Sequence, residues 1–263
     1  MNEAPFDAWV AHWLQDEPEM RLARVFAPVD ARRDALFCIE REIAESVYGV
    51  RDTGVAQARL GWWMDECTQF AAQAARHPLT RELQSRASGE TVALASALGR
   101  ALGAALELVE SESIATSEEL ALLHHAAFAP LVLARTGSGA AEPAVRAATT
   151  ASLLRELRDW PRFAQPARAR VPLQALARAG VDRALVVAGR EAAITAQDAL
   201  LEPLAAGLAA DASRLDVLDA ARVTVARRLL ARRSGGLLGE RTGSRLGMLL
   251  ALWSQARNHR SGD

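Results

Sequence analysis

Apolar side chains recur along the chain at intervals of three and four residues, the spacing that places them on one face of an α-helix. Alternating runs of β-branched residues, typical of strands, are missing, and strong helix formers such as alanine, leucine, arginine and glutamate dominate. The pattern therefore predicts an all-helical protein. To within two to four residues, the predicted helices lie at 6–16, 19–26, 30–50, 54–75, 78–87, 90–110, 117–136, 141–160, 172–179, 182–210, 212–233 and 243–258.

Short connections that contain glycine, proline and small polar residues separate these helices. Asp30, Ser117 and Asp182 are expected at helix caps or in first turns, because their side-chain oxygens can accept bonds from free backbone amides. No long linker and no repeat period is visible, so the pattern predicts one domain over residues 1–263. The glycine-rich segment 233–243 is the loosest connection, and we expect it to be mobile.

Composition describes an ordinary globular protein, with 263 residues of which 50% are hydrophobic and 24% charged. The net charge of -1 gives no bulk electrostatic reason to expect nucleic-acid binding or strong attraction to anionic membranes. All 31 basic residues are arginine, which together with the abundant alanine indicates a GC-rich coding sequence.

Cysteine usage and the apolar stretches indicate a cytoplasmic protein with at most peripheral membrane association. Cys38 and Cys67 lie in helical patterns without metal-binding spacing, so we predict buried thiols in a reducing compartment. The first twenty residues are acidic and aromatic, unlike a signal peptide. The longest apolar stretch, Leu120–Ala134, contains two histidines and a proline and is too short to span a bilayer.

Residues 153–181, LLRELRDWPRFAQPARARVPLQALARAGV, combine the end of an amphipathic helix, a basic loop and a short closing helix. This layout resembles the second aspartate-rich motif of squalene and phytoene synthases. The residues that match are Leu157, Arg158, Asp159, Arg168, Pro172, Leu176, Gly180 and Val181. The second aspartate of that motif is replaced by Phe163.

Residues 26–83 resemble the first motif region of the same family. The residues that match are Phe26, Pro28, Arg32 or Arg33, Ala35-Leu36-Phe37, Arg41-Glu42, Arg59, Trp62-Trp63, His77-Pro78 and Leu83. Ala44 and Tyr48 occupy the positions of the aspartate pair. The later elements resemble a branch that includes mitochondrial complex I assembly factors with a phytoene-synthase-like domain. The resemblance implies an isoprenoid-synthase-like helical bundle with a central cavity, whose mouth would be lined by Ala44, Tyr48 and Phe163.

The missing aspartates bear directly on activity, because synthases of this family bind prenyl diphosphates through Mg²⁺. That ion prefers oxygen ligands, and carboxylates one helical turn apart can share a metal cluster. Neither of the two aspartate pairs, one in each motif region, is intact here. A shifted cluster of Glu40, Glu156 and Asp159 is geometrically conceivable, and Mg²⁺ would be its cofactor. Without such a cluster, we expect no cofactor.

Five arginines crowd the second motif region, namely Arg155, Arg158, Arg162, Arg168 and Arg170. Guanidinium forks suit phosphate oxygens, so these residues either bind a diphosphate or acidic group or are simply solvated. Adjacent helical residues point about 100° apart, so His124-His125 is interpreted as structural rather than as a metal pair. Trp62-Trp63 is interpreted as core and interface packing rather than a substrate platform.

We predict a squalene/phytoene synthase-like pseudoenzyme that binds a prenyl or other apolar ligand or a protein partner. No catalytic residue is assigned. The predicted ligand contacts are Arg155, Arg158, Asp159, Arg168, Tyr48 and Phe163. One alternative is a divergent prenyltransferase that condenses two prenyl diphosphates head to head, with Mg²⁺ on Glu40, Glu156 and Asp159. The other is an assembly or scaffold factor that acts through a tryptophan-bearing surface.

Overall fold

The computed structural model describes residues 5–27, 29–87, 89–137, 139–158, 160, 170–231, 236–238 and 245–260. Within these ranges all regular structure is helical and no strand occurs, as the apolar periodicity predicts. The α-helices are α1 Pro5–Asp16, α2 Pro18–Phe26, α3 Ala31–Ala44, α4 Thr53–Ala71, α5 Pro78–Arg86, α6 Thr91–Glu110, α7 Ser117–Thr136, α8 Glu142–Leu157, α9 Leu173–Ala179, α10 Arg183–Ala188, α11 Arg190–Ala205, α12 Val217–Ala231 and α13 Arg245–Arg260.

The predicted helix starts are confirmed at the three polar residues singled out in the sequence. Asp30 caps α3 by accepting hydrogen bonds from the backbone amides of Arg32 and Arg33. Asp182 caps α10 in the same way through the amide of Leu185. Ser117 is the first residue of α7, directly after its capping residue. Local side-chain capping therefore sets these boundaries.

Two helices predicted as continuous are interrupted. The predicted helix 30–50 ends as α-helix at Ala44 and continues as a π-helical turn over Glu45–Gly49, where a Cβ on Gly49 would collide with the Glu45 carboxylate. The predicted helix 182–210 divides at Gly189, whose backbone is extended, and ends in a 3₁₀ turn at Ala206–Leu208. Apolar periodicity continues across both breaks, so it does not reveal them.

The core forms where α6 and α7 pack together, with α4 against α6 and α8 between α7 and α12. By length and composition α6 is apolar enough to cross a membrane, but half of its apolar window is buried inside the fold. The core helix of a folded protein meets the same criterion, so this helix is weak evidence for a membrane span. Apart from residues 236–238, segment 233–243 lies outside the described residues.

Helix α3 is buried along most of its length, although several of its side chains are charged. It packs against α1, α5 and α7, so charged groups on α3 must find partners inside the protein. The short helix predicted at the end of the second motif region is present. It is α9, which begins directly after Pro172 and ends at Gly180, whose φ is positive at 66°. These elements bring the two motif regions into position for the contacts described below.

Candidate functional site

Glu40 of α3 is fully enclosed and lies between two arginines. Its carboxylate accepts a hydrogen bond from Nη1 of Arg222 on α12. The other carboxylate oxygen lies 2.5 Å from Nη1 of Arg135 on α7. Burial by itself opposes ionisation of Glu40, but the two arginines outweigh it and lower the pKa to about 2. Glu40 is therefore ionised and neutralised by guanidinium groups.

Glu156 of α8 has the same kind of environment. Nη1 of Arg41 on α3 donates to its carboxylate at 2.5 Å, and Nη1 of Arg155 lies 3.2 Å from the second oxygen. Burial opposes ionisation here too, but Arg41 and Arg155 lower the pKa of Glu156 to about 2. Both carboxylates that sequence reasoning offered as replacement metal ligands are thus engaged by arginine.

Glu17 and Asp219 are two further carboxylates that contact the same arginines. Glu17, between α1 and α2, lies 3.2 Å from Arg41 Nε, 3.4 Å from Arg155 Nε and 3.3 Å from Arg222 Nη2. Asp219 of α12 accepts two bonds from the Arg135 fork, at 2.9 and 2.7 Å. We call this set the buried ion network; its members are Glu17, Glu40, Glu156, Asp219, Arg41, Arg135, Arg155 and Arg222.

The buried ion network joins α3, α7, α8, α12 and the α1–α2 connection into one charge-balanced cluster. Four carboxylates face four guanidinium groups, and seven of the eight side chains are almost fully enclosed. Burial opposes the charge on Arg41, Arg135 and Arg222, yet the surrounding carboxylates raise the pKa of each. A charged group without its partner would be costly in this environment, so the set stabilises the fold only as a whole.

The metal cluster proposed from the sequence is only partly visible. Glu40 and Glu156 both lie in the buried ion network, while Asp159 lies outside the described residues. Among the residues that the structure does describe, no group of three or more histidine, cysteine, aspartate or glutamate side chains is arranged to hold a metal ion. The three-residue cluster therefore stays a prediction, and two of its members have other partners.

A small cavity opens beside the buried ion network, between α2, α8 and α12. It is bounded by Glu17, Arg155, Arg158 and Arg222 together with apolar side chains, and its volume is about 20 Å³. A space of that size holds about one water molecule. A prenyl chain does not fit there, and the large central cavity implied by the family resemblance stays a prediction.

The two residues in the positions of the first aspartate pair, Ala44 and Tyr48, are both buried. The hydroxyl of Tyr48 lies 2.7 Å from Nδ1 of His124, and the His124 ring stacks on Phe128. Burial lowers the pKa of His124 to about 3, so the imidazole is neutral. His125 instead lies 2.9 Å from Thr149 Oγ1, so the two histidines have separate structural partners.

The predicted ligand-binding arginines are placed in different environments. Arg155 belongs to the buried ion network, and Arg158 borders the small cavity at the end of α8. Arg170 is buried, donates to the backbone carbonyl of Leu108 and lies 5.8 Å over the Tyr48 ring. The interpretation of these residues as solvated is therefore wrong for Arg155 and Arg170, because each has an internal partner. The predicted contacts of Asp159, Arg162, Phe163 and Arg168 lie outside the described residues.

The second part of the first motif region forms an aromatic cluster, defined as Trp9, Trp62, Trp63 and His77. The His77 ring lies 5.0 Å from Trp9, 5.6 Å from Trp62 and 4.9 Å from Trp63, and the two adjacent tryptophans meet edge to face at 5.1 Å. His77 also caps α5 through Nδ1. Trp63 is buried, whereas 49% of Trp62 is exposed.

The exposed side of α4 continues the apolar character of the cluster. Val55, Ala58 and Trp62 follow one another at helical spacing and are all exposed. Large apolar side chains placed together on a surface mark interaction sites more often than isolated ones do. This strip and the aromatic cluster form the clearest candidate binding surface among the described residues.

Four members of the buried ion network were missed from sequence, namely Glu17, Arg135, Asp219 and Arg222. For two of them, the sequence contains a signal that predicts burial. Asp219 and Arg222 are single charges within the apolar run VLDAARVTVA. In a helix with apolar residues on every side, such charges predict burial and hence an internal partner of opposite sign.

The sequence matches no protein-family model, and no curated protein is similar enough to it to indicate a relationship. The family resemblance therefore depends on the motif residues themselves, and the functional argument depends on the contacts described above.

Proposed function

We propose that the protein is a non-catalytic squalene/phytoene synthase-like protein that acts by binding a protein partner. The observation that carries the proposal is the engagement of Glu40 and Glu156 by four arginines. In the family these two helix faces supply metal-binding carboxylates, whereas here their remaining acidic groups are partners of buried cations.

The energetic cost of recruiting these groups to a metal supports the proposal. Mg²⁺ requires near-octahedral oxygen ligands, so Glu40 and Glu156 would have to leave their arginines. Removing one partner of a buried ion pair costs about 3–5 kcal/mol, because the other charge stays buried without compensation. The divergent prenyltransferase is therefore the less favoured alternative, although its other predicted residues, Asp159 and Arg168, lie outside the described ranges.

A protein partner is favoured over an apolar ligand bound beside the buried ion network, because that region offers little space and apolar surface is exposed on α4 instead. The cavity beside the buried ion network holds about one water molecule. By contrast, Trp62 is half exposed, and its ring is held by Trp63 and His77. A tryptophan that is already positioned loses little conformational freedom on binding, and tryptophan is enriched among residues that dominate interface energies.

The first experiment tests the loss of catalysis. The purified full-length protein is incubated with Mg²⁺ and farnesyl or geranylgeranyl diphosphate, beside an active squalene synthase as a positive control. We expect no squalene, phytoene or presqualene-type product. Mg²⁺-dependent formation of any head-to-head condensation product would contradict the proposal.

The second experiment tests the binding surface. A photoreactive phenylalanine analogue is placed at Trp62 or, as a matched control, at Leu122, which is equally exposed on α7. After irradiation in cells, we expect a discrete cross-linked protein at position 62 that is absent at position 122 and is lost when Val55→Glu is added. Identical products from both positions, or none at position 62, would refute the surface.

A further inference from the structure

Positive charge is concentrated at the C-terminal end of the chain. Residues 227–260 contain eight arginines and a single glutamate, although the net charge of the whole protein is -1. The bulk charge therefore conceals a strongly basic segment. Anionic partners of this segment are attracted locally, whatever the balance over the rest of the protein.

Helix α13, within that segment, presents apolar side chains to solvent. It packs on α2 and α12 with Leu252 turned inward. On its outer side Leu250 is 57% and Trp253 46% exposed, and Leu249 is also exposed. These three residues lie on neighbouring turns of the same face. Among the described residues, none covers the apolar side of α13 at these three positions.

The same face becomes basic one turn further on. Arg257 follows Trp253 by four residues, and its guanidinium lies 5.3 Å over the indole ring. The helix contains three arginines and no acidic residue. Tryptophan beside an arginine whose charged end can reach a phosphate is typical of side chains in the headgroup region of a membrane.

Helix α2, on which α13 packs, also has exposed apolar residues. Val25 and Val29, at and just beyond its C-terminal end, are 73% and 80% exposed. Both line a surface groove of about 420 Å³ together with Arg21 and Arg24. Apolar side chains and arginines therefore recur on the element that contacts α13.

We propose that α13 is an interfacial helix that binds the surface of a bilayer containing anionic lipids. Leu249, Leu250 and Trp253 insert between the headgroups, and Arg257 contacts a lipid phosphate. A nucleic acid would satisfy the arginines but would leave the leucines and the tryptophan without a role. This inference is independent of the proposed protein partner, because it concerns a different helix from the Trp62 surface.

The test is co-sedimentation of the full-length protein with vesicles. One set is phosphatidylcholine alone, and the other contains about a third phosphatidylglycerol, which supplies the charge expected to attract polybasic segments. We expect binding to the anionic vesicles, weakened by high salt. Leu250→Glu with Trp253→Glu should weaken binding by roughly tenfold or more. Arg257→Gln should weaken it by about fivefold.

The matched control is Val92→Glu, which places the same charge at a valine that is 76% exposed on α6. It should bind anionic vesicles as the wild type does. The inference is overturned if the wild type does not sediment with anionic vesicles, if the α13 variants bind unchanged, or if the protein binds an oligonucleotide but no vesicle. Circular dichroism checks folding, and Arg257→Gln alone still decides the question if the double variant does not fold.

Discussion

The buried ion network and the aromatic cluster both include residues from the stretch that resembles the first synthase motif region, yet one is closed and the other open. In the network, Glu40 and Arg41 are sealed among charges from four other elements. In the cluster, Trp62 leaves half of its surface to solvent. Charged groups inside and an aromatic group outside reverse the usual distribution. Under the proposed function, the positions that correspond to metal ligands in the synthases serve the fold here, and recognition takes place at the surface.

The largest expected effect comes from breaking the buried ion network. Glu40→Ala leaves Arg135 and Arg222 without one of their carboxylates, so the free energy of unfolding should fall by about 3–5 kcal/mol. Urea denaturation measures the change. Glu107→Ala on the exposed side of α6 is the control and should stay within about 0.5 kcal/mol of the wild type. Equal effects of the two substitutions would show that the network does not stabilise the fold.

A double-mutant cycle on Arg41 and Glu156 sharpens the same comparison. Each single substitution, Arg41→Met or Glu156→Leu, leaves a buried charge, whereas the double variant removes both. The double variant should therefore be more stable than the sum of the single losses predicts, with a coupling of about 1–3 kcal/mol. Additive losses in chemical denaturation would mean that the 2.5 Å contact carries no energetic coupling.

Acid should weaken the network in a defined pH range. The pKa values of Glu40 and Glu156 fall from 4.5 to about 2 in the folded protein. Their contribution to stability is present above about pH 4.5 and is lost as the pH falls toward 2. Unfolding free energies at pH 6 and pH 3 should therefore differ by a few kcal/mol. The Arg41→Met/Glu156→Leu variant should lose less, and an undiminished loss would contradict the assignment.

The smallest expected change in stability is that of Trp62→Ala, and the adjacent Trp63 provides its control. Trp63 is buried, so Trp63→Ala should cost about 3–5 kcal/mol. Trp62→Ala should cost less than about 1 kcal/mol, because much of the ring is already in water. Thermal or urea unfolding separates the two. If Trp62→Ala destabilises the protein as strongly as Trp63→Ala, position 62 is part of the core and not a binding surface.

Sequence periodicity predicts nearly all of the helices, because an amphipathic pattern is a local property. It does not predict the π-helical turn at Glu45–Gly49 or the break at Gly189, where apolar spacing continues through a change in backbone geometry. The contacts of the candidate site are harder to predict from sequence than the helices are. The helical face of Glu40 follows from the sequence, but its partner Arg222 is 182 residues away. Only the packing of α3 against distant helices brings those charges together.

The environments of the arginines in the second motif region could not be predicted from the sequence either. Their number and spacing are equally compatible with phosphate binding and with solvation. Burial decides between internal partners and solvent, and it depends on residues from other elements. Arg155 reaches Glu17, and Arg170 reaches the backbone of Leu108. Neither contact has a signature in the local sequence.

The most direct test of the central claim is a crystal structure of the protein soaked with Mg²⁺ and a non-hydrolysable farnesyl diphosphate analogue. We expect Glu40 to remain bound by Arg135 and Arg222, and Glu156 by Arg41 and Arg155, with no metal ion between α3 and α8. An ordered Mg²⁺ coordinated by Glu40, Glu156 or Asp159 and by the diphosphate would contradict the account and restore the catalytic alternative.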